Sequence, residues 1–205
     1  IQKGYEATSL NLQNKTVDVT YNSGNRKKLL YDLLIISIPP NQAKSLINNQ
    51  IDRFENCLSE VEMRSSATAL FSFDLNPAHI KETYFSNERV QIQVENDRFK
   101  CNQKLLCLTV HTKEPFAREV VNNDKRKIRE ILFGELSSIF PVLLPKPTYE
   151  AGHRWLYGFT ERPLGQPYLF YEKQNVGFCG DWCLGGTILN AVSSGVRLAE
   201  QILKK

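Results

Sequence analysis

Near its C-terminus the chain runs Val176-Gly-Phe-Cys179, then Gly180-Asp-Trp-Cys-Leu-Gly-Gly-Thr187, then Ile188 to Leu203, and few folds accommodate such a segment. The first piece reads as a short buried strand. The last keeps Val192, Val196, Leu198, Ala199, Ile202 and Leu203 at helical spacing. The turn also has a chemical use. The first-turn amides of a helix lack partners and carry the positive end of its dipole, so they suit an anion or an electron-rich ligand edge. Gly180, Gly185 and Gly186 allow close approach, and Asp181 can accept hydrogen bonds from ligand hydroxyls. A capped turn whose glycines serve only geometry is the competing reading.

Upstream, Tyr5 to Leu12 and Thr16 to Tyr21 alternate as strands of a hairpin or meander. Leu29 to Ile38 is an almost continuous apolar run ending at Pro39-Pro40, expected as one strand buried on both faces of a parallel or mixed sheet, which implies a sheet covered by helices. Asn41 is expected to cap a short helix through Ile47, and Asp52 to Met63 to form a second. Ala67 to Leu75, Val90 to Val94 and Leu105 to His111 alternate as strands of an antiparallel sheet with one wet face. Pro115 to Phe140 is expected as a helix with Ile128, Ile131, Leu132, Leu136 and Ile139 on its apolar stripe. Tyr149 to Phe159 reads as a strand. His153, Trp155 and Tyr157 share one face of it, giving that face an imidazole and two aromatic side chains, and Trp155 and Tyr157 could be sheet core.

Composition removes several classes. The 205 residues carry 26 Lys+Arg against 22 Asp+Glu, a net charge of +4, and the run Lys125-Arg-Lys127 is the solvated face of an amphipathic helix. Nucleic acid is therefore not an expected partner. No apolar run approaches the roughly 20 residues of a membrane span. Five scattered cysteines form no CxxC pair and suit reduced thiols in a cytoplasmic setting. Cys179 and Cys183 flank the Gly-Asp-Trp turn but read as small packing residues. The three histidines are spaced for no metal site. His111 reads as a structural strand-end residue and His79 as exposed. No nucleophile with a partnering base is visible, so no catalytic side chain is assigned.

Val176 to Gly186 with the helix Ala191 to Ile202 resembles the C-terminal flavin-contacting segment of the bacterial renalase-like branch of amine-oxidase-type FAD enzymes. Tyr31 to Pro39 followed by Gln42-Ala43 is similar to that family's strand ending in a proline beside the cofactor, and His153-Arg-Trp-Leu-Tyr157 is similar to its His-Arg-Trp-x-Tyr strand. The resemblance implies an FAD cofactor, with His153, Trp155 and Tyr157 on the strand entering the active site, where they would hold a flat substrate against the flavin. Asp181 would bond a ribityl hydroxyl, amides of Ile188, Leu189 and Asn190 would face the flavin pyrimidine edge, and Gly180, Gly185, Gly186 and Thr187 would complete the cradle. Trp182 would sit beside the isoalloxazine and the substrate. Pro39 would lie next to the cofactor, and Ala7 would fall where a strand backbone holds adenine. Asn96 matches a substrate-domain asparagine or is a turn residue. Asn190 departs from the family pattern, placing a side chain where a glycine is usual.

The same resemblance implies an α+β fold of the glutathione-reductase-like type. Residues 1–40 and 161–205 would form a partial FAD-binding domain, and 41–160 an inserted antiparallel-sheet substrate domain. The family's GxGxxG turn has no match here, and the resemblance implies that it precedes Ile1, leaving this chain alone inactive. The expected function is oxidation of a small amine-bearing or dihydronicotinamide-like substrate by hydride transfer to flavin, with dioxygen as acceptor. The alternative is a truncated or degenerate, non-catalytic relative acting as a binding module.

Overall fold

The computed structural model describes residues 2–22, 24–48, 50–76, 80–95 and 105–204. His79, Asn96 and Cys101 lie outside the described residues. The chain divides into two compact units, Ile1–Met63 with Thr160–Lys205, and Arg64–Phe159. Residues 41–63 thus belong with the first unit, not with the insertion, because their helices bury Ala43, Ile47, Phe54 and Leu58 in its core.

The first unit opens with an antiparallel meander of β1 (Tyr5–Asn11), β2 (Thr16–Tyr21) and β3 (Asn25–Leu30). The register shifts between Ala7 and Ser9, a bulge that leaves Ala7 opposite Val19. The apolar run Leu29 to Ile38 is not one strand. It breaks at Tyr31-Asp-Leu33, so Leu29 and Leu30 end β3 while β4 (Leu34–Ile36) joins a different sheet. Asp32 favours such a turn, and its carbonyl accepts a bond from Asn175 Nδ2 (3.1 Å). Nor is β4 buried on both faces. It is the edge of a mixed sheet ordered β10 (Leu169–Tyr171), β11 (Val176–Phe178), β4, with Ile36 buried and Ile35 50% exposed.

Helix α1 (Pro40–Ile47) starts one residue before the expected cap, with Pro39 as N-cap and Pro40 at the first helical position. Proline suits that site, where its missing N–H is not needed. Helix α2 (Asp52–Ser59) ends before Glu62, where β5 (Glu62–Phe73) begins. After β11 come a one-turn α5 (Asp181–Leu184) and α6 (Ile188–Leu203). Gly177 lets α6 lie directly on β11. A Cβ there would meet both Leu198 methyls at 2.9 Å. Ser194, buried in the same helix, accepts the Gly180 N–H at 2.9 Å. The opposite stripe of α6, Ile188, Val192, Val196 and Leu203, is exposed.

The second unit is a sheet ordered β6 (Tyr84–Ser86), β7 (Val90–Val94), β8 (Leu106–Thr112), β5 and β9 (Tyr149–Arg162), with β6 through β5 paired antiparallel. One face packs α3 (Phe116–Val120) and α4 (Lys125–Ile139) through Phe71, Leu108 and Val110 against Ile128, Leu132 and Leu136. These are two helices where one was expected. Asp124 interrupts the run and caps α4, its Oδ1 accepting the Lys127 N–H at 2.8 Å. The other face is open. Among the described residues no helix is long and apolar enough to cross a membrane.

Gly177→Ala should lower the unfolding free energy by about 1–3 kcal/mol, the usual range for overpacking a tight contact. A thermal melt reads it directly. An unchanged Tm would mean that α6 is not seated on β11 as closely as described.

Candidate functional site

The glycine-rich turn of the first unit is fastened on every side. The Trp182 side chain lies beneath it, 1% exposed, with Nε1 donating to the Ile38 carbonyl at 3.2 Å. A side chain so buried shapes the turn from below, so Trp182 is core, not the ligand-facing residue expected. Gly180 must lack a side chain, since a Cβ would lie 2.6 Å from the indole nitrogen. Asp181 is half-buried, and its Oδ2 accepts from Thr160 Oγ1 at 3.3 Å. Gly185 adopts φ +130°, a conformation that favours glycine.

The first turn of α6 differs from expectation at one point. Thr187 Oγ1 caps the Asn190 N–H at 3.1 Å, so that amide is already taken. Among the described residues the Ile188 and Leu189 N–H groups are its open donors, beside exposed Gly186. The Asn190 side chain folds back, Nδ2 donating to the Gly185 carbonyl at 3.0 Å. It pins the turn and leaves the space outside it clear. Pro39 is half-buried at the start of α1, and Ala7 is exposed on β1.

The open face of the second unit carries a cavity of about 490 Å³. Strand alternation builds its walls. Ser66, Thr68 and Leu70 of β5 point away from core residues Ala67, Ala69 and Phe71, and Thr109 and His111 of β8 away from Leu108 and Val110. His153, Trp155 and Phe159 of β9 complete it, the first two stacked with ring centroids 6.0 Å apart. His153 and Trp155 are therefore brought together as expected, whereas Tyr157 does not line the cavity. His111 is a lining residue, not merely a strand end. Its Nδ1 lies 2.9 Å from Thr68 Oγ1, and burial pushes its pKa down against the opposing pull of Glu95. Its alternation with Leu108 and Val110 was the sequence signal that could have placed it on the open face.

A larger hollow, about 580 Å³, lies on the meander among Thr8, Ser9, Asp18 and Lys28. Asp18 there accepts from Ser9 (2.8 Å) and pairs with Lys28 (3.7 Å), so these polar groups satisfy one another. The hollow on the second unit, with an apolar wall and few polar groups, is the better ligand site.

A family model described as flavin containing amine oxidoreductase matches residues 1–203. The chain belongs to that family. Its cofactor is FAD. The fold agrees. Cyclohexylamine oxidase from Brevibacterium oxydans IH-35A is similar with a TM-score of 0.69 at 12% identity, over 97% of this chain and 48% of that one. Reduced UDP-galactopyranose mutase is similar with a TM-score of 0.67 at 13% identity, over 100% of this chain and 47% of that one. The chain thus spans just under half the length of either.

The turn fits a flavin. Two open N–H groups at a helix N-terminus suit an electron-rich ring edge, and the half-buried Asp181 carboxylate, held by Thr160, suits a hydroxyl donor. Cys179 and Cys183 are buried free thiols. Burial raises the Cys179 pKa and pushes that of Cys183 up to about 11.

Iodoacetamide at pH 8 should therefore spare Cys183 in the folded chain while half-buried Cys57 and Cys107 react first. Rapid Cys183 labelling would contradict the burial. Because the folded chain holds the Cys183 proton more tightly than the unfolded one, this thiol's stabilising contribution is complete below about pH 9 and lost as pH rises toward about 11. Urea midpoints of the parent and Cys183→Ala should draw together as pH rises through that window.

Proposed function

We propose that this chain is the flavin-contacting and substrate-binding part of an FAD-dependent oxidoreductase of the renalase-like branch. The reading includes a glutathione-reductase-like architecture, with FAD on the first unit and the substrate on the second. The substrate is a small amine-bearing or dihydronicotinamide-like molecule, and dioxygen is the acceptor. Bound FAD supplies the ring that accepts a hydride. Asp181 would hold a ribityl hydroxyl, and the Ile188 and Leu189 N–H groups would offer donors to an electron-rich edge of the ring. His153 and Trp155 hold a flat substrate by stacking, in a hollow whose apolar wall excludes water. No side chain here is asked to take a proton from the substrate.

The observation that carries this reading is the 490 Å³ hollow walled by Trp155, Phe159 and Leu70 in a member of a flavin-containing family. The exposed stripe of α6 and the open edge of β4 also fit it, since both are surfaces that a further strand and helix of a dinucleotide-binding region would cover. The reading as a non-catalytic binding module draws support from the same turn. Ile188 and Leu189 there are 84% and 80% exposed, and one of the three expected amides is already bonded.

A visible spectrum of the intact gene product separates the two readings. The oxidoreductase is expected to be yellow and to bleach anaerobically with a dihydronicotinamide or an amine. A colourless protein that takes up no added FAD would leave only the binding module. Asp181→Ala should loosen FAD by about tenfold, the loss of one hydrogen bond from a charged acceptor. The chain alone should retain FAD weakly.

A further inference from the structure

Three polar groups on the open face of the second unit have no part in the reading above. Ser66 is 2% exposed, and its Oγ has no hydrogen-bond partner. A buried hydroxyl is normally paired, and this one lines a hollow whose wall is otherwise largely apolar. The hydroxyl has almost no accessible surface, so a partner supplied from the hollow requires the Ser66 side chain to turn toward it. Two residues further along β5, on the same face, Thr68 sits opposite His111 across the β5–β8 pairing. The 2.9 Å contact between Thr68 Oγ1 and His111 Nδ1 fixes the imidazole and leaves Nε2 as the ring nitrogen open to a ligand. Ser66 and His111 are then diagonal neighbours on one face.

The rest of the lining says what the ligand is. Trp155, Phe159 and Leu70 offer flat apolar surface. Among the described residues no Asp, Glu, Lys or Arg lines the hollow, and the Glu95 carboxylate at its margin is engaged by the Thr109 hydroxyl at 3.0 Å, so an ammonium or carboxylate would lose its hydration with no lining charge to replace it. We propose that Ser66 and His111 bind the polar group of the substrate and that Thr68 positions His111, so that the hollow selects a neutral, flat ring carrying one hydrogen-bonding group. This rests on reading the hollow as the substrate site.

Benzamide is the matching probe, with a carbonyl for the Ser66 hydroxyl and an amide on the same carbon for His111. Benzylammonium is the charged probe of similar size. Titrations of the whole chain are followed by Trp155 emission, with Trp155→Phe as the control that the signal comes from the hollow. Benzamide should quench saturably and bind at least about tenfold more tightly than benzylammonium at pH 7. Ser66→Ala and His111→Ala should each weaken benzamide about tenfold, the size of one hydrogen bond. Thr68→Val should weaken it similarly and shift the His111 ring-nitrogen NMR resonances at unchanged Tm, and Thr68→Ser should restore both. Saturable, Trp155-dependent quenching that neither Ser66→Ala nor His111→Ala alters would overturn the proposal and leave the hollow as a substrate site held by apolar contact. Absence of Trp155-dependent quenching would remove the hollow as a binding site altogether, while the FAD titration of the intact protein still reports on the flavin half.

Discussion

The contact between α6 and β11 governs the first unit. Leu198 can rest on the strand only because Gly177 has no side chain, and Ser194, one turn earlier, reaches the backbone where the strand ends. Together they fix the point at which the chain leaves the sheet. Trp182 then fills the space under the turn and ties it to the Ile38 carbonyl, two residues past β4. Steric room, one buried hydroxyl and one indole thus determine where the helix N-terminus stands, and the electrostatic character of that terminus follows from its position.

The second unit works by a division of faces. Alternation along β5 and β8 sends Ala67, Phe71, Leu108 and Val110 to the helices, and Thr68, Thr109 and His111 to the other side. Burying one face holds the sheet together, which frees the other to be shaped by ligand chemistry. Glu95 contributes at the margin, accepting the Thr109 hydroxyl at 3.0 Å and drawing on His111 through space.

Much of this was legible in the sequence, for physical reasons. Period-2 strands such as Val90 to Val94 and the strand, turn and helix from Val176 to Leu203 announce themselves because burial on one side imposes the pattern. The failures are as instructive. Leu29 to Ile38 looks like one strand because hydrophobicity does not record where a turn falls, and Asp32 was the weak signal of the break. The split between α3 and α4 hinged on Asp124, a capping residue lost within a charged run. Ser66 and Thr68 were passed over, and His111 was read as a strand end, because cross-strand pairing, not local sequence, brings them together. Asn190 looked like an obstacle at the turn only because its rotamer cannot be read from a string.

That rotamer has an entropic consequence. The Gly-Gly turn would be the most mobile backbone in the first unit, yet the Asn190 amide clamps the Gly185 carbonyl, Thr187 caps the helix, and the Gly185 N–H donates to the Asp181 carbonyl at 2.7 Å. The loop is preorganised. A ligand arriving there meets a surface whose ordering was completed during folding, so little of its binding energy is consumed in freezing the loop.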